Sequence, residues 1–234
     1  MPAQLCGTLR ALNIGTVSAI VQGERRIVSA YHKQPVDGPM LLSIDGLPGD
    51  EHVYEHHGGP DKAVCVYPFE HYEYWTQRLD LDLPPQAAFG ENFTVTGLLE
   101  SEVQLGDEFE VGEAHVQVTQ PRAPCYKIAA RYGLPKMALY VQQQGMTGFH
   151  LRVLQHGFVR AGDLLRLVSR ASHGISVSEA NRILNHDKHD VAGALRLLDS
   201  VELPESLVPG LRKRIERHGE PADHARMYGD DPPG

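Results

Sequence analysis

Apolar positions recur with two different periods along the chain, and the change between them falls near residue 170. Before that point, short runs alternate apolar and polar residues and are cut by Gly, Pro and Asp, the pattern of strands in a sandwich or barrel. In "AHVQVTQ", Ala114, Val116 and Val118 are expected to face a core and His115, Gln117 and Thr119 to face away, because successive strand side chains point to opposite faces. The preceding "VQLGDEFEVG" predicts a hairpin turn at Gly106-Asp107, and "GFHLRVLQHGFVRAGDLLRLVS" predicts two or three more strands. Two helices interrupt this region. One follows Pro68 in "FEHYEYWTQRL", with Phe69, Tyr72 and Trp75 or Thr76 on one side, and the other fills "PKMALYVQQQ".

From Ser172 the spacing becomes helical. "SVSEANRILN" places Ser176 and Glu179 in capping-box order, so that serine and glutamate satisfy free amides of the first turn. "HDVAGALRLLDS" and "ESLVPGLRKRIERHG" follow, each with Leu or Ile at helical spacing. The expected fold is therefore mostly β over residues 1–170, with a small all-α unit over 172–222 and a frayed tail over 223–234.

Charge and cysteine usage narrow the function. Lys+Arg number 22 against 30 Asp+Glu, a net charge of -8, which argues against nucleic-acid binding by the whole surface but leaves room for one basic pocket. With 41% hydrophobic residues the chain can bury a core, and it has neither a bilayer-length apolar run nor a secretory pattern at "MPAQLCGTLRAL"; a cytoplasmic protein without membrane association is expected. Cys6, Cys65 and Cys125 are odd in number and far apart, which disfavours disulfides.

The chemistry gathers in three stretches. "EHVYEHHGGPDKAVCVYP" sets His52, His56, His57, Asp61 and Lys62 around Gly58, Gly59 and Pro60, either an anion or cofactor loop or a tight turn with solvated histidines. His52 and His56 lie four apart, yet no His-Glu-x-x-His or Cys-x-x-Cys accompanies them, so zinc is disfavoured. "AAFGENFTVTG" carries Asn92, whose amide can bond a heterocycle or brace its own turn. In "QPRAPCYKI", Cys125 stands near Arg122 and Lys127, a positive field that favours thiolate, between Pro121 and Pro124 on one side and the rest of the chain on the other. The plain reading of Cys125 is a small buried hydrophobe, and Cys65 in "AVCVYP" is expected to be that.

Taken together, "HHGGPDKAVCVYPFEHYEYW", "FGENFTVTGL", "GDEFEVGEAHVQVTQPRAPCYK" and the helical tail resemble the stand-alone MOSC proteins, the molybdenum-cofactor-sulfurase C-terminal domain family, in its YiiM-like branch. The resemblance implies a β-barrel-like domain followed by three helices. It implies a molybdenum cofactor, Mo-molybdopterin, with Cys125 as metal ligand and a pocket lined by His57, Gly58, Gly59, Asp61, Lys62, Asn92 and Arg122. The implied activity is reduction of N-hydroxylated compounds, including hydroxylaminopurine base analogues, by N–O cleavage, with His56 or His57 as proton source. No flavin or iron–sulfur motif is visible, so electrons are expected from a separate reductase. The alternative is a carrier that binds the cofactor without turnover. Cofactor sulfuration is disfavoured because that activity uses an attached pyridoxal phosphate domain, for which this chain has no room. The C-terminal helices could also be read as a DNA-binding pair, but Asp187, Asp190 and Asp199 argue for a packing or substrate-capping role, and an edge strand or the helical tail could support a homodimer.

Overall fold

The alternating segments form strands, and seven of these close on one another. In the computed structural model, which describes residues 5–22, 25–54, 57–200 and 203–217, the strands are β1 (Cys6–Ile14), β2 (Ser18–Gln22), β3 (Arg25–Ser29), β4 (Gln34–Pro35), β5 (Met40–Leu42), β6 (Val64–Pro68), β7 (Phe93–Thr96), β8 (Glu108–Val111), β9 (Ala114–Pro121), β10 (Phe149–Gln155), β11 (Gly157–Val159) and β12 (Leu164–Ser169). They pair in the order β12-β8-β9-β10-β6-β7-β1, and β1 pairs back to β12 to shut the barrel. Closure leaves no open edge among these seven. Only the β6–β7 step within the barrel is parallel, and the crossover it requires carries α1 (Glu70–Leu79).

Alternation decides which residues enter the barrel. Val64 and Val66 of β6, Val116 and Val118 of β9, and Phe149, Leu151 and Val153 of β10 fill the interior, so Cys65 and His150 face outward. On β9 the alternation breaks. Gln120 pairs with His150 but Val118 pairs with Leu151, so Thr119 bulges from the ladder and its hydroxyl donates to the carbonyls of Asp61 (2.6 Å) and His150 (3.1 Å). The bulge turns Gln120 to the outer face beside His150.

The hairpin turn expected at Gly106-Asp107 is instead at Gly112-Glu113, between β8 and β9. Asp107 lies before β8, where its buried carboxylate accepts from the Gln104 amide and from Arg170. A glycine followed by an acidic residue marks a turn in both cases, but only pairing on both sides makes a hairpin, and the residues just before Gly106 pair with Ile175 and Ser176 instead of β9.

Outside the barrel, α1 packs with α2 (Tyr126–Tyr132) and α3 (Met137–Gln144) around Tyr67, Tyr72, Trp75 and Phe89, where Tyr67 stacks on Phe89 at 4.1 Å. The C-terminal helices are α4 (Val177–Asn181), which runs on into a wider turn over Arg182–His186, α5 (Val191–Leu198) and α6 (Val208–Arg217). Ser176 caps α4 by accepting from the Glu179 amide at 3.0 Å, but the Glu179 carboxylate pairs with Arg182 and leaves the box half formed. Ile175, Val177, Ile183, Leu197 and Leu211 join the hydrophobic cluster of the barrel, so the helices share its core. The predicted tail 223–234 and the end of the predicted 172–222 unit lie outside the described residues. Among the described residues no helix is long and apolar enough to cross a membrane.

Candidate functional site

Three outward-facing side chains, Cys65, His150 and Gln120, form one cross-strand row over β6, β10 and β9. The chain leaving β9 builds a wall beside this row. Arg122 is anchored by its backbone N–H, which donates to the Gly148 carbonyl at 3.0 Å, and Gly148 is in turn held by the Glu100 carboxylate at 2.7 Å. Only glycine serves at 148, because φ is +72° and a Cβ would stand 2.2 Å from the Val66 carbonyl oxygen. Cys125 follows as the N-cap of α2, extended, half-buried and with a free thiol; Lys127 is buried in the first turn of that helix. The opposite rim is the loop of His52 and His57 and the tight turn Pro60–Lys62, packed on β10.

Arg122 is the electrostatic centre. Burial opposes its charge, but Cys65, Tyr31, Cys125 and Glu91 surround it and more than offset that, holding the guanidinium protonated. Among the described residues it makes no ion pair and no side-chain hydrogen bond; its guanidinium carbon lies 5.9 Å from the centroid of the Tyr31 ring. Lys127, 7% exposed, likewise has no carboxylate partner among the described residues. An acidic protein has thus brought Arg122 and Lys127 together with no carboxylate partner for either among the described residues, which is the condition of an anion site.

These cations govern their neighbours. His57 is exposed at the rim, yet loss of water around its buried side and then the charges of Lys127, Arg122 and Lys62 push its pKa down to about 4. His150 is driven well below the usual histidine range by burial, then by Lys62, Arg122 and His57. Burial lowers Lys62 and raises Cys65 and Tyr31. At neutral pH both histidines are uncharged and the Tyr31 hydroxyl keeps its proton.

The predicted site residues divide into groups. Cys125, Arg122, His57 and Lys62 meet at the cleft; His56 lies outside the described residues. Gly59 takes φ +98° at the start of the Pro60–Lys62 turn, and Gly58 leaves room for the His52 ring, which a Cβ would strike at 2.7 Å. Asp61 turns away to pair with Arg152 at 2.8 Å. Asn92 is buried with its amide fully engaged: Nδ2 donates to the Asn13 carbonyl (3.2 Å) and to Asp50 (2.8 Å), and Oδ1 accepts from the Cys65 amide (3.0 Å). It braces the cleft from below. Cys65 is not the core residue the sequence suggests, because it alternates with Val64 and Val66 and so faces the cleft. Tyr31, His150 and Gln120 had no signal in the sequence beyond polarity beside apolar strand positions.

Around the cleft the fold leaves polar atoms unused, as a large polar ligand would require. Tyr31 Oη, Gln120 Oε1 and His150 Nδ1 are all buried without a hydrogen-bond partner. Among the described residues no three His, Cys, Asp or Glu side chains are grouped to cage a bare metal ion. One thiol, the guanidinium of Arg122, the ammonium of Lys127 and the orphaned polar atoms suit a metal that arrives with its own sulfur ligands and a phosphate.

The MOSC domain family matches residues 53–166, and the YiiM-like 3-alpha helix domain matches residues 175–218. Protein YiiM of Escherichia coli is 41% identical over 207 residues, covering 86% of this chain and 89% of that protein. The chain belongs to the YiiM-like MOSC family. The crystal structure of YiiM from Geobacillus stearothermophilus superposes with a TM-score of 0.76 at 33% identity, covering 89% of this chain and 99% of that one. A protein of Gibberella moniliformis named "Reductase" is 32% identical over 186 residues, or 78% of this chain, which spans 33% of that longer protein.

In this YiiM-like MOSC chain the depressed His57 has a measurable consequence. The unfolded chain titrates it near 6.5 and the folded chain near 4, so between those values the unfolded state binds the extra proton. The contribution of His57 to stability is therefore intact above pH 6.5 and declines as pH falls toward 4. In an NMR titration the His57 ring proton is expected to move with a midpoint near 4. Inorganic phosphate should raise that midpoint by screening the cations; a midpoint near 6.5 without ligand would show that the cationic field is absent.

Proposed function

We propose that this protein is an oxidoreductase that holds the molybdenum cofactor in the Cys125 cleft and reduces N-hydroxylated compounds. The observation that carries this reading is Arg122, a half-buried guanidinium with no ion pair and no side-chain hydrogen bond among the described residues, set beside the half-buried Cys125 thiol. Membership in the MOSC family and the relative named "Reductase" support the same direction.

When bound, the cofactor supplies a metal centre that accepts an oxygen atom in a two-electron step. The side chains have separate tasks. Cys125 offers the single soft ligand; Arg122, Lys127 and Lys62 neutralise the phosphate; Asn92 positions the strand that carries Cys65. His57, neutral at pH 7, acts first as an acceptor on the rim rather than as a standing acid. The net change is that an N–OH group gains two electrons and two protons, its N–O bond breaks, and an N–H product and water leave. The electrons come from a separate reductase of the flavin or iron–sulfur class.

The test is turnover of hydroxylaminopurine by protein from cofactor-replete cells, with a reduced viologen dye as donor. Amine formation that tracks pterin content is expected. Bound pterin without turnover would instead favour a carrier, and protein lacking both pterin and molybdenum would remove the proposal.

A further inference from the structure

Two of the orphaned atoms lie side by side. Gln120 and His150 are direct partners across the β9–β10 ladder, and Gln120 Oε1 and His150 Nδ1 are both buried without a donor. Gln120 is only 5% exposed, so water does not readily replace the missing partner. A buried acceptor left without a donor costs about 1–3 kcal/mol. The fully buried Glu91 carboxylate, by contrast, is satisfied: it accepts from the hydroxyls of Tyr72 and Thr94 and from the Phe89 amide.

The pair owes its exposure to the cleft to the Thr119 bulge, without which Gln120 would point into the barrel. The neutral imidazole of His150 carries a single ring proton, and its assignment to Nε2 leaves a lone pair at the unpartnered Nδ1. Nearby Lys62 and Arg122 disfavour a second proton. Both unused atoms are thus acceptors, and opposed side chains on a ladder start about 5 Å apart, close enough to converge on one ligand edge.

We propose that Gln120 and His150 form a recognition floor for the donor edge of an amino-substituted nitrogen heterocycle. One N–H meets Gln120 Oε1 and a neighbouring N–H meets His150 Nδ1. Resting on the proposed function, this edge has two sources, the base of an N-hydroxylated substrate or the pterin of the cofactor.

Gln120→Leu and His150→Phe, made singly, test the floor, and either variant alone decides. Three quantities are measured on each: the thermal midpoint; pterin per chain; and the ratio of kcat/KM for 2-amino-6-hydroxylaminopurine over 6-hydroxylaminopurine, which differ only in the amino group. The midpoint is expected to hold or rise, since each change removes an unsatisfied buried atom. A fall of about tenfold in pterin content assigns the floor to the cofactor. Unchanged pterin with a roughly tenfold loss of the amino preference assigns it to the substrate; tenfold corresponds to about 1.4 kcal/mol, one lost hydrogen bond. If wild-type protein holds no pterin and turns nothing over, the reductase reading fails, and the affinity of 2-aminopurine relative to purine still tests the floor directly. The floor is overturned if pterin content, selectivity and 2-aminopurine affinity all stay within about twofold of wild type. It is also overturned if amino and unsubstituted ligands weaken alike.

Discussion

Cys125→Ser is expected to purify folded, with molybdenum reduced at least about a hundredfold, on the scale of losing more than an outer-shell contact to a metal site. The position tolerates the change. Cys125 is a half-buried N-cap in an extended conformation, and serine is among the preferred N-cap residues, so stability should hold or improve. Its chemistry does not tolerate it. Serine puts a hard hydroxyl oxygen where the soft sulfur stood, and such an oxygen is a poor ligand for a soft metal centre. Pterin content is expected to fall less than molybdenum, because the cations that hold the phosphate remain. Elemental analysis alongside pterin fluorescence checks this. Retention of molybdenum would shift attention to Cys65, the second sulfur near Arg122, and Cys65→Ser would then be the deciding variant.

Asn92→Leu is expected to cost about 3–5 kcal/mol, since it leaves the Cys65 amide, the Asn13 carbonyl and part of the Asp50 carboxylate without their partner, at about 1–3 kcal/mol for each buried group. Leucine keeps the branched heavy-atom shape and replaces the amide oxygen and nitrogen with methyls, so the lost hydrogen bonds dominate the change. Against a typical total of about 5–15 kcal/mol this is a severe change, and for a chain of this size it lowers the thermal midpoint by roughly 10 °C. Asp50 keeps two partners, the Gly15 amide and Lys33 in a close ion pair, so the loop should not detach. Calorimetry of the ligand-free protein measures the effect. An unchanged midpoint with lost pterin would mean that Asn92 touches the ligand rather than bracing the site.

These two residues differ in how legible they were. Cys125 stood out because its charged neighbours Arg122 and Lys127 are within three positions, and short-range charge is visible in one dimension. Asn92 was visible as a turn residue, but its three partners come from residues 13, 50 and 65, which no spacing connects. Helix α2 escaped because seven residues after two prolines are too few for a 3.6-residue period to show, although its start is what positions the thiol. The outward position of Cys65 is hidden in the sequence for the opposite reason. An unbroken apolar run hides which alternate positions face inward until the neighbouring strands are known.

The sequence by itself determined the strand-rich body, the helical C-terminal segment, the family and the thiol with its adjacent cations, because each rests on local periodicity or on residues close together in the chain. Tertiary structure alone decided that residues 65, 120 and 150 form one row, that a bulge at Thr119 turns Gln120 toward the cleft, and that Arg122 has no carboxylate partner among the described residues. Those facts depend on barrel register and closure, in which a shift of one residue exchanges the inner and outer faces of a strand.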